Sequence, residues 1–156
     1  MTSMDGKTDT ELLAELIAEK HRVLEQLREL ARMQPEIIGA GDMSRLMSVL
    51  AAKERMLSRL KVVEQRLNPF REQDPESRRW RSPAARSACR DVAERCEALL
   101  KEIMVIEKQS ETELVARRDQ TAARLHAAHD ASSARSAYLH SAPRRASRLD
   151  VTSEGS

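Results

Sequence analysis

The chain has 156 residues, enough for one domain, and its net charge of +2 favours neither a nucleic-acid partner nor a membrane surface. Aromatic residues make up only 2% of the chain and charged residues 33%, which argues against a compact globular core and is typical of long amphipathic helices. Because no apolar segment has the length of a signal peptide or a membrane span, we expect a cytosolic protein.

The first predicted helix begins at Thr8, after a polar segment, residues 1–7, that we expect to be disordered. Thr8 and Glu11 have the spacing of a capping box, in which each side chain bonds the backbone amide of the other residue. The apolar residues that follow form a stripe broad enough to pack on two neighbouring helices. Pro35 lacks an amide hydrogen, so the helix either ends before it or kinks there and continues.

Gly39 and Gly41 are predicted to allow a turn, and Asp42 is predicted to cap a second helix. The two helices would form an antiparallel hairpin over residues 8–68. The second helix carries an apolar stripe expected to face the core: Leu46, Val49, Leu50, Leu57 and Leu60. Lys53 lies on that stripe where an apolar residue would be expected, so its side chain either extends to solvent or meets an acidic partner.

Two further groups of apolar residues in this region each admit two interpretations. Met43, Met47 and Met56 either fill the core or line an adaptable groove for a client protein, since methionine surfaces repack around varied ligands. Phe70 and Trp80 either cover the end of the helical bundle or form an exposed anchor for a partner. The sequence alone leaves both alternatives open.

Residues 69–82 are predicted to be a linker, because prolines and crowded charges interrupt the helical pattern there. Ser82 and Pro83 are a typical helix start, and a long third helix is predicted over residues 83–130. Such a helix would span roughly 70 Å, and its apolar stripe thins in the second half. Residues 131–156 are rich in Ser, Ala and Arg, and we expect a flexible tail that is either disordered or client-binding.

The predicted architecture is therefore all-α: an elongated antiparallel helical hairpin plus a long third helix, in a three-helix coiled-coil-like bundle with a flexible C-terminal tail. No phosphate-binding loop, nucleophile elbow or paired carboxylates on an apolar background occur in the sequence. We therefore expect no enzyme, no catalytic residues and no cofactor. If the chain acts on other proteins, it would do so by binding and release without nucleotide chemistry.

Cysteine and histidine residues offer little chemistry. Cys89 and Cys96 lie about 10 Å apart along one helix, too far for an intrachain disulfide. We expect them to be small core residues, with redox or metal chemistry as the lesser alternative. His126 and His129 are a weak metal signal, since two ligands near a helix end do not make a site, and we expect no metal.

Arginines cluster between residues 71 and 90. They alternate with acidic residues, and a single aromatic residue, Trp80, lies among them, which does not provide a series of rings to stack on successive bases. We therefore expect no nucleic-acid partner, and a basic nucleic-acid adaptor is the third hypothesis for function.

The start of the second helix resembles a known family pattern. The residues that carry the resemblance are Ile38, Gly39, Ala40, Gly41, Asp42, Leu46, Val49, Leu50, Lys53, Glu54, Met56, Leu57 and Leu60. They resemble the LLxAGDxxxLxxLLxxKxxLLxxL pattern of FlgN-type (FlgN/FliT-like) flagellar export chaperones, and the likeness extends in outline across residues 8–130. Tyr138 resembles in position a tyrosine in the C-terminal region of that family.

The resemblance implies a cytosolic chaperone that binds hook-associated proteins, which form the hook–filament junction, before flagellar type III secretion; the export apparatus is a second potential partner. An amphipathic helix of the client would lie against this chain and be kept from premature assembly. The candidate partner-binding residues are Leu114, Leu125, Tyr138 and Leu139, because a half-apolar helix completes its packing on a partner. The alternative is a structural coiled-coil homodimer whose third helix drives association.

Overall fold

The computed structural model describes the backbone of residues 8–153 and the side chains of residues 8–141. Within that range it contains three α-helices and no strand. The helices are α1 (Asp9–Ala40), α2 (Met43–Arg71) and α3 (Pro83–Ser153), and a short 3-10 helix at Pro75–Ser77 lies between α2 and α3. The predicted all-α class is confirmed. The disorder expected for residues 1–7 falls outside the described residues.

The predicted capping residues begin all three helices. The Glu11 amide donates to Thr8 Oγ1 at 3.3 Å and the Thr8 amide to Glu11 Oε2 at 3.4 Å, which completes the capping box. The carboxylate of Asp42 and the hydroxyl of Ser82 each accept from the amide three residues further on, at 3.1 and 3.0 Å. Each bond satisfies an amide that the first helical turn leaves unpaired.

The turn between α1 and α2 depends on Gly41. Its φ of 71° lies in the left-handed region, which a residue with a Cβ adopts only at a cost. The Gly41 amide donates to the Ile38 carbonyl at 3.0 Å, and the Asp42 amide donates to the Ile37 carbonyl at 3.2 Å. These bonds close the end of α1 and turn the chain back into the helical hairpin.

Pro35 and Pro69 lie inside α1 and α2 rather than ending them. α1 passes Pro35 and continues to Ala40, so of the two alternatives the helix continues. α2 passes Pro69 and ends at Arg71, three residues beyond the predicted stop at residue 68. Pro69 lies in the last turn of α2, and the helix ends two residues after it.

The core consists of three clusters of buried residues arranged along α1. The first joins α1 to the end of α2 through Leu13, Leu16, Val63, Leu67 and Phe70. The second joins all three helices through Val23, Leu24, Leu27, Cys96 and Leu99, with Met56, Leu60, Val92, Leu100 and Ile103 packed against it. The third lies beside the hairpin turn and contains Ile37, Ile38, Leu46 and Val49. Aliphatic residues therefore supply nearly all of this core.

The chain divides into two compact units after Glu113. We call residues 1–113 the bundle unit and residues 114–156 the C-terminal unit. All three core clusters lie in the bundle unit. The part of α3 within the C-terminal unit has exposed side chains at every position from 114 to 141.

The third helix does not end at residue 130 as predicted, because α3 continues to Ser153. This corrects the boundary drawn between residues 83–130 and the tail of residues 131–156. The physical reason is local: residues 131–142 contain no glycine or proline and four alanines, which have the highest helix propensity. Although α3 is long, no helix within the described residues is also apolar enough to cross a membrane.

Candidate functional site

The two cysteines are part of the core. Cys89 and Cys96 are buried free thiols, as predicted from their apolar helix face. Burial raises the pKa of both thiols. The Cys96 thiol donates to the carbonyl of Ile17 at 3.8 Å, which ties α3 to α1. A protonated, buried thiol is a poor nucleophile and a poor metal ligand, so we look for function in binding surfaces.

Phe70 and Trp80 cover one end of the bundle core. Phe70 is buried in the first core cluster, and the partly buried Trp80 packs against that cluster. The Arg78 side chain donates to the Phe70 carbonyl, and the Thr10 hydroxyl donates to the Arg79 carbonyl at 2.9 Å. These bonds fasten the connection between α2 and α3 to the hairpin. The covering interpretation is confirmed, and the interpretation as an exposed anchor is wrong for Phe70.

The four candidate partner-binding residues all lie on α3 in the C-terminal unit, and all are exposed. Leu114, Leu125, Tyr138 and Leu139 expose 37%, 67%, 70% and 62% of their surface. Large apolar side chains that remain in water forgo the free energy of burial, about 1.5–3 kcal/mol each. A partner that covered these side chains would recover that free energy.

Three of these residues share one face of α3. At about 100° per residue, the intervals from Leu114 to Leu125 and from Leu125 to Leu139 place the three leucines within an arc of about 40°. Two residues with short polar side chains, Thr121 and Ser132, lie on the same arc between them. Tyr138 lies about 100° away from Leu139 around the helix. The C-terminal unit thus presents a leucine face to which Tyr138 does not belong.

A second exposed apolar surface lies on α2. We call Met43, Met47, Leu50 and Leu57 the outer stripe; they expose 49%, 66%, 36% and 50% of their surface. The inner face of α2, which packs in the bundle, is shifted by about 100° and repeats at steps of three and four residues. It consists of Leu46, Val49, Lys53, Met56, Leu60, Val63 and Leu67.

The outer stripe corrects the expectation that the whole apolar stripe of the second helix faces the core. Leu46 and Val49 are buried and Leu60 is half-buried, but Leu50 and Leu57 are exposed. Of the three methionines, only Met56 packs against the core. Met43, Leu50 and Leu57 follow one another at intervals of seven residues, and this separate heptad repeat was the signal for a second face.

Lys53 meets an acidic partner. Its Nζ lies 2.5 Å from Glu107 Oε1 on α3, as an ion pair rather than a directed hydrogen bond. The Lys53 side chain is 13% exposed and that of Glu107 is 35% exposed. Of the two alternatives considered for Lys53, the acidic partner is confirmed.

Comparisons of this chain with protein-family models, with curated proteins and with solved structures give no match. A proposal for function therefore depends on the two exposed apolar surfaces and on the sequence pattern at the start of α2.

Proposed function

We propose that this chain is a cytoplasmic export chaperone of the FlgN type, which binds the amphipathic terminal helices of hook-associated proteins before flagellar type III secretion. The observation that carries the proposal is the leucine face of α3. Leu125 and Leu139 are more than half exposed, and every side chain from residue 114 to 141 is exposed as well. A helix with one uncovered apolar face is half of a helix–helix interface.

The chemistry of the surface matches that kind of client. A client whose termini form coiled coils on assembly has an apolar stripe at helical spacing, which the leucine face can cover. Burying three leucines on each side would contribute about 9–18 kcal/mol before the costs of association, and a net of about 8 kcal/mol corresponds to a micromolar dissociation constant. Affinity in this range lets the client be released at the export apparatus without hydrolysis of a nucleotide.

The bundle unit then serves as the scaffold from which the binding helix starts. Its core is complete without the four candidate residues. Folding and client binding are therefore assigned to different parts of the chain. The sequence pattern that resembles the chaperone family lies in the bundle unit, and the client-binding residues lie in the C-terminal unit.

Co-purification tests this proposal. The full chain and a chain that ends at Glu113 would each be tested for capture of hook-associated proteins. We expect capture by the full chain and loss of capture by the shortened chain, with helical circular dichroism of the bundle unit retained. Equal capture by both chains would place the client on the bundle unit and contradict the assignment to α3.

The outer stripe of α2 favours a second candidate function, a structural homodimer. Met43, Leu50 and Leu57 repeat at coiled-coil spacing on an exposed face, so two copies could cover the stripe of one another. The sequence assigned dimerisation to the third helix, and this alternative moves it to α2. The molar mass in solution, together with capture of hook-associated proteins, distinguishes the two functions. The homodimer is favoured if the unchanged chain is a dimer that captures no hook-associated protein and if the double variant Leu50→Glu, Leu57→Glu is a monomer.

A further inference from the structure

A cavity of about 440 Å³ lies within the bundle unit. Four segments form its walls: the first half of α1, the end of α2, the connection around Pro75 and Trp80, and the start of α3. Its volume is in the range of pockets that hold small ligands. Neither of the exposed apolar surfaces contributes a residue to it.

The floor of the cavity is apolar. Three of its residues, Leu13, Leu67 and Phe70, belong to the first core cluster. The others are Ile17 and Trp80, which pack against that cluster, and Cys89 and Cys96 on α3. Trp80, which is only partly buried, lies at this floor and is the sole tryptophan of the chain. Such a floor favours an alkyl or aryl group over water.

The polar residues of the cavity are mostly cations. The lining contains five of them: Lys20, Arg71, Arg78, Arg86 and Arg90. The single carboxylate among the lining residues is Glu97. An apolar floor under a basic rim is complementary to a ligand with an apolar body and a negative head.

Two carboxylates outside the lining, Glu64 and Glu76, pair with three of the five cations. Lys20 and Arg71 both pair with Glu64, the former at 2.7 Å, and Arg86 pairs with Glu76 at 3.5 Å. Among the described residues, Arg78 and Arg90 have no carboxylate partner within ion-pair distance. Set against Glu64, Glu76 and Glu97, the five cations leave a surplus of two positive charges around the cavity.

Arg78 is a cation of the lining whose hydrogen-bond donors are not all paired. Its Nε atom is buried and has no hydrogen-bond acceptor, although its terminal nitrogen donates to the Phe70 carbonyl. A buried donor without an acceptor is costly, most of all on a charged group. The positive charge of Arg78 also acts on the Cys89 thiol at the cavity floor, which places the guanidinium next to the apolar part of the cavity.

We propose that this cavity binds a small amphipathic monoanion, a carboxylate with a medium-length alkyl chain. The alkyl chain lies on the floor beside Trp80, and the carboxylate pairs with the guanidinium groups of Arg78 and Arg90, the two lining cations without a carboxylate partner among the described residues. The carboxylate lowers the surplus around the cavity from two positive charges to one. The site is separate from the leucine face of α3, so ligand binding here is independent of the proposed chaperone function.

Fluorescence of Trp80 tests the proposal directly, because this residue is the only tryptophan and lies at the floor. The full chain would be titrated with decanoate below its micelle concentration and, in parallel, with decan-1-ol, which has the same chain without the charge. We expect a saturable change in Trp80 emission with decanoate and at least about tenfold weaker binding of decan-1-ol, since a charge-assisted pair is lost.

Two variants and a matched control assign the head-group contact. We expect Arg78→Gln and Arg90→Gln each to weaken decanoate binding by about tenfold. Arg59→Gln removes an exposed arginine of α2 that does not line the cavity, and its affinity should equal that of the unchanged chain. Arg90 is exposed, so Arg90→Gln should not change the stability of the fold. Its affinity for decanoate therefore tests the head-group contact even if Arg78→Gln lowers stability.

A second measurement uses the cysteines of the floor. Saturating decanoate should slow alkylation of Cys89 in the full chain, because both occupy the same cavity. Equal binding of decanoate and decan-1-ol, unchanged affinity in Arg90→Gln, or an unsaturable change in Trp80 emission would each overturn the proposal.

Discussion

At the scale of single residues, Lys53 shows how a charge is held on a packed helix face. The inner face of α2 is apolar on both sides of it, with Val49 and Met56 as its neighbours in the repeat. Its ion pair with Glu107 joins α2 to α3. The sequence placed Lys53 on the packed face but could not name its partner, because Glu107 belongs to another helix and no local spacing connects the two.

The pair makes a defined contribution to stability. We predict that Lys53→Ala lowers the free energy of unfolding by about 1 kcal/mol, because it leaves the carboxylate of Glu107 facing a packed helix without its partner. The double variant Lys53→Met, Glu107→Leu should recover most of that loss through apolar packing. Urea denaturation measures both. The control is Lys61→Ala, which removes an exposed lysine of α2. The prediction would be contradicted if Lys53→Ala and Lys61→Ala had the same free energy of unfolding.

Glu64 gives the bundle a sensitivity to acid. Burial raises the pKa of Glu64, but the bonds from Lys20 and Arg71 outweigh it and leave the pKa below its ordinary value of 4.5. A carboxylate with a lowered pKa in the folded state stabilises the fold above its unfolded pKa, and this stabilisation is lost as the pH falls through the folded pKa.

We therefore predict that Glu64→Gln is less stable than the unchanged chain at neutral pH, by at most about 1 kcal/mol, and that the difference shrinks as the pH falls below 4.5 and through the lowered pKa of Glu64. Thermal unfolding across this pH range is the measurement. Glu54→Gln, at an exposed carboxylate of α2 outside this network, should follow the unchanged chain at every pH. A constant difference between Glu64→Gln and the unchanged chain would show that the effect is steric.

At the scale of elements, helix starts were predictable and helix ends were not. Thr8, Asp42 and Ser82 have local capping patterns, and the structure confirms each of them. Proline was a poor guide to where a helix ends, since Pro35 and Pro69 both lie inside helices. Packing explains Pro35: Gln34, Ile37 and Ile38 are buried around it, and their burial outweighs one lost backbone bond.

Pro35 nevertheless costs stability. It provides no amide for the Ala31 carbonyl, its usual acceptor in the helix. We predict that Pro35→Ala raises the free energy of unfolding by about 1–3 kcal/mol, which a rise in the melting temperature would report. Glu36→Ala, at the exposed neighbouring position, should change it by less than about 0.5 kcal/mol. Lower stability of Pro35→Ala would mean that the proline ring is itself needed for packing.

The two faces of α2 show a limit of periodicity. Spacing indicates which residues share a helix face, but it does not indicate which face another helix covers. Leu50 and Leu46 have similar apolarity, yet only Leu46 is buried, because α1 covers one side of α2 near the hairpin turn. The outer stripe could be recognised only once the neighbours of α2 were known.

At the scale of the whole molecule, the core and the candidate binding surface lie in different units. We predict that a chain ending at Glu113 unfolds cooperatively, with a melting temperature within about 5 °C of that of the full chain, because all three core clusters are retained. Circular dichroism during heating measures this. A broad or strongly lowered transition would show that residues after Glu113 stabilise the bundle unit.

The affinity of the chain for the terminal helices of hook-associated proteins tests the proposed function most directly. Isothermal titration would compare the unchanged chain with Leu125→Asp, Leu139→Asp and with Val105→Asp, which alters an equally exposed apolar position of α3 in the bundle unit. We predict micromolar binding, at least about tenfold weaker in the double variant and unchanged in Val105→Asp. Equal affinity of all three chains, or no binding by the unchanged chain, would contradict a client site on the leucine face.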